Sequence, residues 1–184
     1  MQPILAKLEP DQALALVIDL QEKLLPSIQD GEACLAGAGK LILAAQVFGL
    51  PVVVTEQYPA GLGATHPAIR AIMGDAQVFD KTAFSACTGP VMDAIAASGR
   101  RQIIIAGVET HVCVQQTALD LLRAGFDIWI CVDCIGSRRA LDRDIALTRL
   151  QHAGVIVTSV ESVIFELQKQ AGGELFKRIL KIVK

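Results

Sequence analysis

Aromatic residues are scarce in this sequence. Six Phe, one Tyr and one Trp make 4% of 184 residues, too few for the ring platforms on which single-stranded nucleic acid stacks. Basic charge is not in excess either. Seventeen Lys and Arg stand against 19 Asp and Glu, for a net charge of −2, so no global positive field draws nucleic acid as a partner. No stretch reaches the ~18 uninterrupted apolar residues of a membrane span. Residues 41–54 come closest, and Gln46, Gly49 and Pro51 break them, so no membrane partner is expected. The start, Met1-Gln2-Pro3 with Lys7, Glu9 and Asp11 soon after, lacks the apolar core of a signal peptide. Five cysteines form an odd set without framework spacing, which leads to an expectation of reduced thiols and a cytoplasmic protein. A glycine-rich phosphate loop is missing too, since Gly61-x-Gly63 alone carries little weight.

What the sequence has in quantity is short aliphatic runs. Hydrophobic residues make up 52% and charged residues 20%, an apolar share above that of an ordinary soluble domain. Such runs suit strands buried on both faces, and some of the excess suits a subunit interface. A chain of this length can bury roughly 70% of its unfolded surface without disulfide staples. With no internal repeat, linker or low-complexity tract, residues 1–184 read as one domain.

Strand-like and helix-like stretches alternate. Strands are expected at 13–19, 51–56, 77–80, 102–107, 127–132 and 155–158. Helices are expected at 32–48, 88–97, 113–124 and 140–153, with two more pieces after Ser159 parted by Gly172-Gly173. Residues 57–67, with two glycines and two prolines, read as a long functional loop. This alternation predicts an α/β fold, a parallel sheet with helices on both faces. In such sheets ligands bind beyond the carboxyl ends of the strands. Asp19, Lys81 and Cys113 each lie at such an end.

Cys113 is the most informative of the three. In Gly107-Val108-Glu109-Thr110-His111-Val112-Cys113-Val114, a strand ends at a glycine and a short elbow delivers a thiol to a helix start. The free N–H groups and dipole of a helix start favour thiolate over thiol and can hold an oxyanion. Lys81 would add Coulomb attraction, and Asp19 could take the thiol proton and return it to a leaving amine. Each residue also has an ordinary structural reading: a small buried hydrophobe, a solvated loop charge, a turn aspartate. His111 is two residues from Cys113, a separation that does not face the same way on a helix. His66 lies in the glycine-containing loop and could approach, and His152 falls late in a predicted helix. Cys131-Val132-Asp133-Cys134 has the spacing of a redox or metal pair. It begins inside a strand and has no second pair, which favours a structural origin.

Four blocks together resemble the isochorismatase-like cysteine hydrolases. They are Leu16-Val17-Ile18-Asp19-Leu20-Gln21, Val54-Thr55-Glu56-Gln57-Tyr58-Pro59, Lys81-Thr82-Ala83-Phe84-Ser85 and the octet ending at Val114. The second block and the helical tail are most similar to the isochorismatase domain-containing subgroup. The resemblance implies a three-layer α/β/α fold with a mostly parallel six-stranded sheet, and a triad of Asp19, Lys81 and Cys113. It also implies a cis peptide bond between Val108 and Glu109, which would turn the Glu109 or Thr110 amide toward the site as one half of an oxyanion hole. The Cys113 amide would be the other half. The nicotinamidase branch of this family binds a metal through one aspartate and two histidines after the second strand. This sequence has Glu56-Gln57-Tyr58-Pro59 there and only His66 downstream, so no catalytic metal and no other cofactor are expected. Leu24, Tyr58 and Phe84 are candidate walls for a pocket taking a small-molecule substrate. Cysteine at position 113 favours hydrolysis of an amide-type C–N bond. The alternatives are enol-ether hydrolysis led by Asp19, and a non-catalytic thiol sensor or interaction protein. Family habit and apolar excess both suggest a homo-oligomer.

Overall fold

The computed structural model describes residues 6–184. Six strands, β1 (Ala13–Ile18), β2 (Val52–Gln57), β3 (Gln77–Lys81), β4 (Gln102–Val108), β5 (Asp127–Gly136) and β6 (Ile156–Thr158), form one sheet in the order β3-β2-β1-β4-β5-β6. Every pairing is parallel. The crossovers are helical: α1 (Gly31–Phe48), the short α2 (Pro59–Leu62) and α3 (Pro67–Arg70), α4 (Gly89–Ser98), α5 (Gln115–Arg123) and α6 (Ala140–Ala153). The helices α7 (Val160–Gln168) and α8 (Gly173–Val183) complete the chain.

Strand periodicity divides the core in two. Ala13, Ala15 and Val17 of β1 and Ile104 and Ala106 of β4 face one layer, with residues of α1, α7 and α8. Leu14, Leu16 and Ile18 of β1 and Ile103 and Ile105 of β4 face the other, with residues of α4, α5 and α6. Side chains alternate across a strand, so a continuous apolar run fills both layers. Each fully buried Ile or Leu contributes about 1.5–3 kcal/mol. The 18-residue α1 is apolar enough to pass for a membrane span, but Cys34, Ala38, Leu41, Ile42 and Ala45 are buried against the sheet, which makes it a core helix.

Three places depart from the periodicity reading. The loop expected over 57–67 contains the short helix α2. The strand expected at 127–132 continues to Gly136, because β5 carries an irregularity. Ile130 pairs with Ile105 and Ile135 with Gly107, so residues 131–134 stand opposite Ala106 alone. Such a bulge turns side chains out of simple alternation, and Cys131 and Cys134 both enter the α1 layer. The expected helix start at Cys113 is instead a widened π-type turn over Thr110–Val114, with α5 following from Gln115. Turns of this kind occur often at functional sites.

The sheet reverses its winding between β1 and β4, the place where ligands gather in doubly wound sheets. Gly107 sits there with φ 129°, and a Cβ at this position would overlap the Ile18 carbonyl. Gly107→Ala is expected to lower stability by about 3 kcal/mol or more. A chemical-denaturation midpoint equal to that of the unsubstituted protein would contradict this account of the β1–β4 seam.

Candidate active site

Asp19 follows β1 in the left-handed region, φ 54°, which a short polar side chain tolerates better than a bulky one. Its carboxylate is fully buried. Thr55 Oγ1 donates to Oδ1 at 2.7 Å and Lys81 Nζ donates to Oδ2 at 2.7 Å. The strands that carry Asp19 and Lys81 are not neighbours, because β2 lies between β1 and β3. The lysine stem bridges that gap, and β2 supplies a further acceptor: Gln57 Oε1 takes Lys81 Nζ at 2.7 Å. The carbonyls of Ala83 and Phe84 complete the set at 3.3 and 3.2 Å. A buried ammonium is tolerated when its donors are filled in this way.

Cys113 is 5% exposed, and the charges of the Asp19 carboxylate and the Lys81 ammonium both bear on its thiol. Burial, followed by the negative charge of Asp19, pushes the thiol up to about 12 against the opposing pull of Lys81. The thiolate expected at a helix start is therefore not the resting form. The thiol is enclosed beside a carboxylate, and burial outweighs the helix dipole. Asp19 is itself raised above the ordinary carboxylate range by burial. The charge of Lys81 and hydrogen bonds from Lys81 and Thr55 pull the other way. With Asp19 ionised, Lys81 charged and Cys113 neutral, the trio carries no net charge, the least costly state for a buried site.

The elbow before Cys113 is tied to the end of β5. The Val108-Glu109 peptide bond is cis. Thr110 Oγ1 donates to the Gly136 carbonyl at 3.0 Å, and the Glu109 carboxylate accepts from Arg138 N and Nε, each at 3.0 Å. The Val112 and Val114 amides donate to the Glu109 carbonyl at 3.0 and 3.2 Å, and the intervening Cys113 amide does not join them. On the other side, Glu56 Oε1 accepts from Thr65 N and Oγ1 at 2.6 and 2.7 Å. The buried Gln21 side chain donates to the carbonyls of Gly63 and Gln57 at 2.6 and 3.0 Å, so the loop expected over 57–67 is held against the strand ends.

The three histidines lie elsewhere. His111 Nδ1 pairs with Ser137 Oγ at 3.0 Å, His66 Nδ1 accepts from the Ala68 amide, and His152 pairs with the Thr148 carbonyl. Tyr58 and Phe84 are 57% and 55% exposed, which removes core packing as their role. Leu24 is half-buried against the α1 layer. Sequence reasoning missed Thr55 and Gln57 as partners of the charged pair. The available signal was their spacing of two on β2, which puts both on one face of a strand beside β1. It also missed Thr117, whose hydroxyl donates to the Cys113 carbonyl at 2.6 Å and accepts the Ala86 amide at 2.8 Å. The signal there was a threonine four residues after the cysteine, the offset for bonding back along a helix.

Comparison with known proteins identifies the family and the fold. Residues 13–162 match the isochorismatase domain. Isochorismatase domain-containing protein 1 of Danio rerio is 40% identical over 182 residues, 98% of this chain. The chain spans 64% of the length of that relative. The structure of the MAR1 ribonuclease of Caenorhabditis elegans superposes with a TM-score of 0.92 at 36% identity, covering 97% of this chain and 92% of that one. The Escherichia coli YcaC product, described as an octameric hydrolase of unknown specificity, superposes with a TM-score of 0.86 at 28% identity, covering 92% and 85%. With its six parallel strands in this order and a domain match across most of its length, the chain belongs to the isochorismatase family.

Proposed function

We propose that this protein is a cysteine hydrolase that cleaves a small-molecule C–N bond of the amide type through a Cys113 thioester. The observation that carries the proposal is the Asp19 carboxylate, fixed by Lys81 and Thr55 at 2.7 Å each and acting on the Cys113 thiol. Sulfur attacks the substrate carbonyl as its proton passes to Asp19, so no free thiolate need accumulate. The oxyanion then accepts from the Cys113 amide and from an amide at Glu109 or Thr110, donors worth about 10²–10³ in rate each. Asp19 gives its proton to the departing amine, takes one from the water that attacks the thioester, and returns it to sulfur. The balance is amide plus water to acid plus amine. Lys81 keeps Asp19 oriented and offsets its charge throughout.

A second reading has one observation in its favour. Burial raises Asp19 toward its protonated form, which suits a general acid for enol-ether cleavage without the thiol. The ribonuclease description of the nematode relative has no counterpart in charge here, since −2 overall supplies no phosphate-binding field. The octameric relative supports a homo-oligomer, and five free cysteines support a reducing, cytoplasmic setting.

A parallel screen of small amides, ureides and isochorismate against the unsubstituted protein and Cys113→Ala separates the two chemistries. Loss of all amide turnover in the variant, with an acyl adduct on Cys113 in intact-mass spectra of the active protein, is expected. Turnover that survives the substitution assigns the reaction to Asp19 alone.

Because the thiol lies near 12, alkylation of Cys113 by iodoacetamide should be slow at neutral pH and show no plateau between about pH 6 and 9. Turnover should fall on acidification through the raised Asp19 value, at a higher pH than for an exposed aspartate. Thr55→Val removes a hydrogen bond that favours the carboxylate and should move that acid limb further up. A plateau in alkylation near neutrality would remove the concerted proton transfer.

Lys81→Met leaves the Asp19 charge buried and unpaired. It should cost about 3–5 kcal/mol and eliminate turnover, while Lys81→Met combined with Asp19→Leu should recover most of the stability and none of the activity. Urea unfolding of the three proteins checks the pattern, and a double variant no more stable than the single one would refute it.

A further inference from the structure

The irregularity in β5 brings together groups that the proposed reaction does not use. In a regular strand Cys131 and Cys134 would point to opposite faces. With residues 131–134 opposite one residue of β4, both thiols lie in the α1 layer. Cys131 Sγ, Cys134 Sγ and an Asp133 carboxylate oxygen lie within 4.8 Å of one another. We propose that Cys131, Asp133 and Cys134, with Cys34 of α1 as the fourth donor, form a binding site for a thiophilic divalent cation such as Zn²⁺ or Cd²⁺.

The donor set selects the cation. Two or three thiolates and one carboxylate match the tetrahedral sulfur-rich sites that take zinc and cadmium, and they are poor ligands for magnesium or calcium. Zn–S bonds of about 2.3 Å put tetrahedral sulfurs about 3.8 Å apart, so the trio closes inward by about 1 Å or less. Cys34 packs in the same layer as the two thiols, one helical turn before Gly37, where α1 meets Asp133 and Cys134. Asp133 is already oriented, because both its oxygens accept the Val160 amide at 2.9 and 3.2 Å. That bond to the first residue of α7 is the outer contact a ligating carboxylate needs.

Access and charge are provided as well. A cavity of about 480 Å³ is lined by Cys34, Gly37, Lys40, Asp133 and Arg143, so the Cys34 and Asp133 edge of the cluster opens to solvent, with Cys131 and Cys134 buried behind it. Gly37 is required there, since a Cβ would overlap the Asp133 carbonyl. This lets α1 approach the bulge closely. Three thiolates and a carboxylate around a divalent ion leave a charge of −2, which Lys40 and Arg143 offset at the rim. Binding releases the thiol protons. The site joins α1 to β5 on the opposite side of the sheet from the α5 layer. Its β5 half ends at Gly136, which accepts the Thr110 hydroxyl beside Cys113.

The test uses the full-length protein, stripped with chelator and titrated with Cd²⁺ and Zn²⁺ alone. Thiolate charge-transfer absorption is read for Cd²⁺, calorimetry and bound-metal analysis for Zn²⁺. One equivalent per chain is expected in the unsubstituted protein and in Cys113→Ala, with a rise in melting temperature on loading. Cys131→Ser/Cys134→Ser should lose the site. Cys34→Ser, which leaves β5 intact, and Asp133→Asn should each weaken it by roughly tenfold or more. Absence of stoichiometric binding in the unsubstituted protein overturns the proposal, and so does unchanged binding in Cys34→Ser and the double serine variant. Loss of binding in Cys113→Ala alone overturns it too, by assigning the metal to the other site.

Discussion

The buried pair of Lys81 and Asp19 is the interaction on which the strand ends depend. Two full charges removed from water need their attraction and every available hydrogen bond to offset desolvation. The surroundings supply those bonds from Thr55, Gln57 and the carbonyls of Ala83 and Phe84. Three strand ends and the segment after β3 are thereby committed to one geometry. The apolar layers on each side of β1 and β4 set the strands in place, and the ion pair sets what their ends do. Burial, and after it the charge of Asp19, holds Cys113 as a thiol. A second negative charge beside Asp19 would leave the enclosed cluster uncompensated.

Much of the architecture can be read from periodicity. Runs such as Ile103-Ile104-Ile105-Ala106 fill two layers at once, and only a sheet covered on both sides uses them so. Helix limits marked by glycine, at Gly49, Gly99 and Gly154, fall where left-handed caps occur. The extension of β5 escapes a reading of this kind. Asp133 is polar enough to signal a strand end, and the bulge that carries the chain past it is fixed by pairing with β4 and by close approach of α1. Those are non-local contacts, absent from any window of sequence.

The site divides in the same way. Asp19, Lys81 and Cys113 stand out because each is a reactive type at a strand end, and the four-block resemblance joins them. Their ionisation does not follow from residue type. The thiol's state depends on how completely it is enclosed and on which charge is nearer, and the dipole argument that favours a thiolate omits both. Thr55, Gln57 and Thr117 are uncharged and common, so nothing in their identity marks them. Only the fold shows that their hydroxyls and amide meet the reactive groups.

Thr117 links two parts of the protein that differ in kind. Its hydroxyl receives the Ala86 amide and donates to the Cys113 carbonyl, while Lys81 grips the same segment from the other end through the carbonyls of Ala83 and Phe84. The stretch bearing Phe84 is thus moored at both ends, once to the charge pair and once to the backbone of Cys113. It cannot swing aside as a gate without disturbing the sulfur. The segment after β3 and the main chain that carries the sulfur therefore form one frame, and neither can be displaced without pulling on the other.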